Sequence, residues 1–142
     1  MTTVIESHLD LKLLRRGKVR DIYELDAEHL VIVTSDRLSA FDVVLPTPIP
    51  GKGAVLNKLT RFWMERFKRM VKNHLTPDSV HRRLREELAE SQPGLSVDQV
   101  EIVRRAKVIP VECVVRGYLA GSGWKDYQKT GHVCGLKLPA AL

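Results

Sequence analysis

Pro46, Pro48, Pro50, Gly51 and Gly53 crowd into eight residues and split the chain into two unlike halves. Prolines and glycines at that density forbid a long regular element between residues 35 and 53. A loop of that length inside a folded domain is either functional or disordered. This one carries Ser35, Asp36, Arg37, Ser39, Asp42 and Lys52, a polar density that favours function.

On its N-terminal side the pattern is that of strands. Leu11-Lys-Leu-Leu and Val19-Arg-Asp-Ile-Tyr-Glu-Leu read as two short strands meeting at Gly17. Asp26-Ala-Glu-His reads as a turn, and Leu30-Val-Ile-Val-Thr as a well-buried strand, giving a β-meander. On its C-terminal side the spacing predicts a long helix over residues 54–73. Val55, Leu59, Phe62, Trp63, Phe67, Met70 and Val71 mark one face, expected to pack into the core. Lys58, Arg61, Glu65, Arg69 and Lys72 mark the other. A shorter helix is expected over residues 79–91, stopped by Pro93-Gly94. Two more strands are expected over residues 100–119, interrupted near Pro110. Gly121-Ser-Gly breaks the chain, residues 124–129 suit a helical turn or two, and residues 130–142 read as loop.

Strands that precede and flank one long and one short helix make an α+β layout with a mostly antiparallel sheet. A Rossmann fold is excluded for want of a strand–GxGxxG–helix unit, and a Walker loop is absent. At 142 residues with 44% hydrophobic and 28% charged content, one folded domain is expected. No apolar run of roughly 18 residues would span a membrane. The N-terminus lacks the pattern of a signal peptide, and Cys113 and Cys134 read as reduced thiols, so a cytoplasmic protein is expected. His8, His29, His74, His81 and His132 show no metal spacing and read as surface or turn residues. The net charge of +6 favours anionic partners. The basic residues within 61–72 and 82–85 sit beside Glu65, Glu86 and Glu87 and read as solvated helix faces.

Four segments could carry chemistry. Gly17-Lys-Val-Arg-Asp places Lys18 and Arg20 two apart on a strand, a possible phosphate clamp or an ordinary surface hairpin. Ser35 to Asp42 follows a buried strand, where Asp36, Ser39 and Asp42 could hold substrate or simply make turns. Gly51-Lys52-Gly53 could present a helix N-terminus to an anion, or merely start the helix. In the last segment Glu112 and Arg116 share a strand face. They could pair with each other, or Arg116 could grip a phosphate with Ser122 between Gly121 and Gly123.

Taken in order, Gly17-Lys-Val-Arg-Asp-Ile-Tyr, Ser35-Asp-Arg-Leu-Ser-Ala-Phe-Asp-Val-Val, Ile49-Pro-Gly-Lys-Gly-Ala-Val-Leu-Asn and Val111-Glu-Cys-Val-Val-Arg-Gly-Tyr-Leu-Ala-Gly-Ser-Gly-Trp resemble the SAICAR synthetase family, the phosphoribosylaminoimidazole-succinocarboxamide synthases. The likeness runs from about Leu13 to Leu138. It implies an ATP-dependent, magnesium-requiring ligase of purine biosynthesis that condenses carboxyaminoimidazole ribonucleotide with L-aspartate through an acyl phosphate. It also implies a front part reminiscent of a kinase amino-terminal lobe or an ATP-grasp fold.

By the same resemblance, Gly17, Lys18, Val19 and Arg20 lie over the ATP phosphates, and Lys107 and Val108 at the adenine edge. Arg116 and Ser122 hold the ribonucleotide phosphate. Asp36, Ser39 and Asp42 lie near the imidazole or aspartate pocket, and Glu112 counts with the substrate-binding residues. Family members are longer, and the family's usual Leu-Pro-Ala-Gly-Leu reads Leu138-Pro-Ala-Ala-Leu142 here. The expectation is an N-terminal portion, inactive by itself, whose magnesium ligands lie in a C-terminal part. The competing expectations are a non-catalytic nucleotide-binding remnant and a small basic nucleic-acid-binding domain. The latter needs exposed aromatics among its basic residues.

Overall fold

A computed structural model describes residues 2–111, 115 and 117–142 and divides into two units, Met1–Lys107 and Val108–Leu142. In the first unit β1 (Lys12–Arg16), β2 (Arg20–Glu24) and β3 (His29–Thr34) form the meander expected from sequence. β4 (Ser39–Ala40) and β5 (Val43–Val44) make a small separate hairpin inside the loop where no strand was expected. α1 (Lys52–Phe67) and α2 (Asp78–Glu90) follow. A short 3-10 turn then leads into β6 (Val100–Arg104). The main sheet has the order β1-β2-β3-β6, antiparallel throughout.

The two-residue period of the strands sorts their side chains. Tyr23, Val31, Val33, Val100 and Ile102 point into one core, joined by Val4, Leu9, Ala89 and Leu95 from the N-terminal segment, α2 and the turn after it. Outermost β1 is exposed along its length, with Lys12, Arg15 and Arg16 guarding the open edge.

The helix α1 is amphipathic as its periodicity predicts, but the opposite face meets the sheet. Its only buried residues are Gly53 and Asn57. Gly53, Asn57 and Arg61, four apart, form the stripe that lies on the sheet. A Cβ at Gly53 would stand 2.1 Å from the Thr34 carbonyl oxygen, so glycine permits the close approach. Thr34 Oγ1 donates to Asn57 Oδ1 at 2.6 Å, and Arg61 Nε donates to Glu101 Oε1 at 2.6 Å. The apolar stripe faces outward. Val55, Leu59, Phe62, Trp63, Phe67, Met70 and Val71 are all exposed, and the ring of Trp63 stacks on Phe67 at 5.6 Å. The expectation that these aromatics fill the core is therefore wrong, because glycine and hydrogen-bonding partners outrank apolar area where the helix must come close. Their exposure also removes one ground for setting aside a nucleic-acid surface.

The joint between α1 and the sheet is polar and loosely filled. Asn57 Nδ2 and Glu101 Oε2 are buried without a hydrogen bond among the described residues. A cavity of about 170 Å³ remains beside them, lined in part by Arg20, Ile32, Thr34 and Met64.

On α2 the surface reading holds for Arg82 and Arg83, which pair with Glu86 and Glu87 one turn on. It fails for Arg85. That side chain is buried and donates to the carbonyls of Val97 and Val100 and to Asp78 Oδ1. A guanidinium can enter the interior there because carbonyls and a carboxylate surround it.

The second unit holds a third helix, α3 (Gly121–Thr130), and a hairpin of β7 (His132–Val133) and β8 (Leu136–Lys137). The helix extends the helical turn or two expected over residues 124–129 and adds a third to the expected long and short pair, while the hairpin corrects the loop expected over residues 130–142. Gly121-Ser-Gly starts α3 rather than merely breaking the chain. Cys134 and Gly135 both adopt left-handed φ and join the two strands in a two-residue turn. Residues 105–111, Val115 and 117–120 are not in strands. The remainder of the second expected strand, Glu112–Val114 and Arg116, lies outside the described residues. No helix among those described is long and apolar enough to cross a membrane.

Candidate functional site

Three of the four sequence segments converge on one arginine. The β1–β2 turn is closed by Gly17 N–H donating to the Arg20 carbonyl at 2.7 Å. Arg37 reaches under this turn. Its Nη2 donates to Gly17 O at 2.9 Å and to Asp21 Oδ1 at 2.7 Å, its Nε to Lys18 O at 3.0 Å, and its Nη1 to Ile5 O. Ser35 adds bonds from its N–H and hydroxyl to Val19 O. Lys52, first residue of α1, donates to the Arg37 carbonyl at 3.0 Å. With the turn's carbonyls held from below, Lys18 and Arg20 carry their charges at the surface.

The electrostatics follow from this packing. Burial lowers the pKa of Lys52 and the charge of Arg20 adds to that, while Asp36 opposes both. Lys18 and Arg20 stand on one turn, and Lys52 lies near enough to Arg20 to feel its charge, an arrangement suited to phosphate. Lys18 Nζ lies 2.5 Å from Asp42 Oδ1, and this bond with the lysine charge holds the exposed Asp42 carboxyl below its usual range.

Asp21 is fully buried. Burial alone would push its carboxyl up, but hydrogen bonds from Arg37 and from the Ser7 N–H and hydroxyl outweigh that and hold it down. A carboxylate with a depressed folded pKa stabilises the fold above its unfolded pKa of about 3.9, and that contribution disappears as pH falls through the folded value. Acid titration of unfolding free energy should therefore slope downward below about pH 4. The slope should flatten in Asp21→Asn. Superimposable slopes for the two proteins would show that Asp21 does not carry it.

Asp36 lies deeper than the sequence suggested. Its carboxylate accepts from Val4 N at 3.0 Å, Gly53 N at 2.9 Å and Gln99 Nε2 at 3.3 Å. It thereby ties the N-terminal segment and the start of α1 to the loop. Ser39 is half-buried in β4, paired across to Val44, and Asp42 sits at the hairpin tip. Lys107 and Val108 are exposed, at the boundary of the two units. Ser122 is exposed in the first turn of α3. Glu112 and Arg116 lie outside the described residues.

Histidine placement is partly as expected. His8 and His132 are exposed, but His74 is half-buried and burial lowers its pKa. His29 meets His81 edge-on at 5.1 Å. Sequence reasoning gave Arg37 no role of its own and missed Asp21 and Gln99 entirely. A lone arginine after a buried strand carries no spacing signal, and glutamine carries none either.

Comparison with known proteins decides the family. The model of the SAICAR synthetase family matches residues 13–142. The chain belongs to the SAICAR synthetase family. It is 51% identical over 142 residues to the phosphoribosylaminoimidazole-succinocarboxamide synthase of Maridesulfovibrio salexigens, covering 98% of this chain and 46% of that protein. It is 54% identical to the enzyme of the same name from Thioalkalivibrio sulfidiphilus, with the same coverage. The solved SAICAR synthase of Saccharomyces cerevisiae in complex with SAICAR superposes with a TM-score of 0.82 at 43% identity, over 99% of this chain and 49% of that one. The chain thus spans about half the length of these SAICAR synthetases.

Proposed function

We propose that this chain is the ATP- and ribonucleotide-binding front part of a ligase of purine biosynthesis. The reaction condenses carboxyaminoimidazole ribonucleotide with L-aspartate. ATP phosphorylates the ribonucleotide carboxylate, the aspartate amine displaces phosphate, and SAICAR, ADP and phosphate leave. The observation that carries this reading is the cationic turn Gly17–Arg20, braced from beneath by Arg37 and flanked by Lys52. Phosphoryl transfer asks of a protein mainly positioning and charge stabilisation, and a rigid turn with two outward cations supplies both. All three substrates are anionic, so the basic balance also raises their local concentration.

In this reading Gly17, Lys18, Val19 and Arg20 take the ATP phosphates, and Lys107 and Val108 the adenine edge. Arg116 and Ser122 take the ribonucleotide phosphate, and Glu112 counts with the substrate-binding residues. Ser39 and Asp42 face the imidazole or aspartate, and Asp36 shapes their loop from behind. The sheet and α1 play the part of a kinase amino-terminal lobe. Among the described residues no three His, Cys, Asp or Glu side chains converge as a metal site. The ligands for magnesium are assigned to the half of the family's length that this chain does not span. Binding rather than full turnover is the role proposed for these 142 residues.

Calorimetric titration with ATP tests the reading. Lys18→Ala and Arg20→Ala should each weaken binding about tenfold, the worth of one charge-assisted hydrogen bond. ATP affinity indifferent to both changes would count against the ligase. Steeply salt-dependent binding to arbitrary DNA would favour the nucleic-acid alternative instead.

A further inference from the structure

We propose that Phe41 faces a ligand, its ring covering the flat heteroaromatic ring of a substrate bound beside the turn that carries Lys18 and Arg20. The hairpin of β4 and β5 is joined by only two residues, Phe41 and Asp42, because Ala40 pairs with Val43. Both adopt left-handed backbone, with φ of 49° and 66°. A two-residue turn of that hand is the place for Asn-Gly, and phenylalanine is strained there. Burial does not compensate, since the ring is fully exposed and the described residues leave it uncovered. Neither local conformation nor packing accounts for an aromatic residue at this tip. Strain kept without structural return is a mark of functional positions.

The tip is also held in one place. Asp42 bonds Lys18 of the cationic turn at 2.5 Å. The base of the hairpin is fixed by Leu45 N–H to Leu38 O at 2.8 Å, and Ile49 N–H reaches Asp36 O at 3.0 Å. An exposed ring is thereby set next to the residue that pairs with Lys18 of the cationic turn. Ring and turn together match a molecule with an anionic end and a flat π-face, because base–aromatic stacking and phosphate–cation contacts are then made together. The inference rests on the proposed ligase, which offers two such rings, the adenine of ATP and the imidazole of the ribonucleotide.

The test titrates ATP and carboxyaminoimidazole ribonucleotide separately against the wild-type chain, Phe41→Asn and Phe41→Tyr. Asparagine suits the turn, so Phe41→Asn should unfold at the same urea concentration or a higher one. Yet it should bind one of the two ligands about tenfold more weakly. Phe41→Tyr should retain the affinity. The ligand that weakens identifies which ring lies under Phe41. Unchanged affinity for both ligands in Phe41→Asn, whether or not stability moves, overturns the proposal and leaves the ring a structural or protein-contact residue. Failure of the ligase reading shows elsewhere, in ATP binding that ignores Lys18→Ala and Arg20→Ala.

Discussion

Arg37→Ala should lower the stability of the chain by about 3 kcal/mol, the lower part of the range for stranding a buried charge. Asp21 has no exposed side-chain surface, and Arg37 is its near partner at 2.7 Å. Arg16 stands further off, at 3.4 Å, and compensates in part. The same substitution withdraws the donors from Gly17 O, Lys18 O and Ile5 O. The turn that carries Lys18 and Arg20 then loses its support, so ATP affinity should fall although both cations remain. Arg37→Lys restores the charge but not the fork of donors, and should recover only part of either loss. Urea unfolding and ATP titration of the three proteins read both effects. An Arg37→Ala chain within about 1 kcal/mol of wild type would remove Arg37 from its assigned place.

Gly53→Ala should be comparably damaging, at about 3 kcal/mol, the upper end of overpacking costs. The new methyl would meet Thr34 O at 2.1 Å, Gln99 Nε2 at 2.7 Å and Ser35 O at 3.0 Å. Two of these are backbone atoms that cannot step aside, so α1 must shift off the sheet. The shift breaks the Gly53 N–H bond to Asp36 and pulls Asn57 and Arg61 out of register. In α3 a Cβ at Gly123 would meet only Val133 Cγ1, at 3.7 Å. Gly123→Ala should therefore be neutral or mildly stabilising, as alanine usually is in a helix. Equal unfolding midpoints for the two variants would refute the close-approach argument.

The strands were legible because their alternation and β-branched residues need no distant partner to be read. The meander, α1 with its N-cap at Gly51, and α2, ended before Pro93-Gly94, follow from local pattern. The face of α1 was not legible. Hydrophobic periodicity says that a helix has two faces, and it assumes that the apolar one turns inward. Here the inward face is set by Gly53, Asn57 and Arg61, whose partners Thr34 and Glu101 lie 19 to 40 residues away along the chain, beyond any window. The hairpin β4–β5 was hidden for a related reason, since Phe-Asp is not a sequence that announces a left-handed turn.

The site shows the same division. Lys18 and Arg20 could be named from spacing and family motif, and they stand at the surface as that naming requires. Asp36 bears the same kind of motif signal, yet its carboxylate is engaged by Val4, Gly53 and Gln99. A motif marks which positions matter. It does not say whether a residue touches ligand or builds the wall behind it.

The polar stripe of α1 also bears on how the chain folds. Early collapse is driven by apolar area and is indifferent to direction, so it favours the helix with Phe62, Trp63 and Phe67 turned toward the sheet. The native pose is rotated away from that, and the close approach at Gly53 with directional bonds to Asp36, Thr34 and Glu101 selects it. Those bonds strengthen as water leaves the joint. The native rotation of α1 therefore gains its advantage over the apolar-inward one only where the joint is dry.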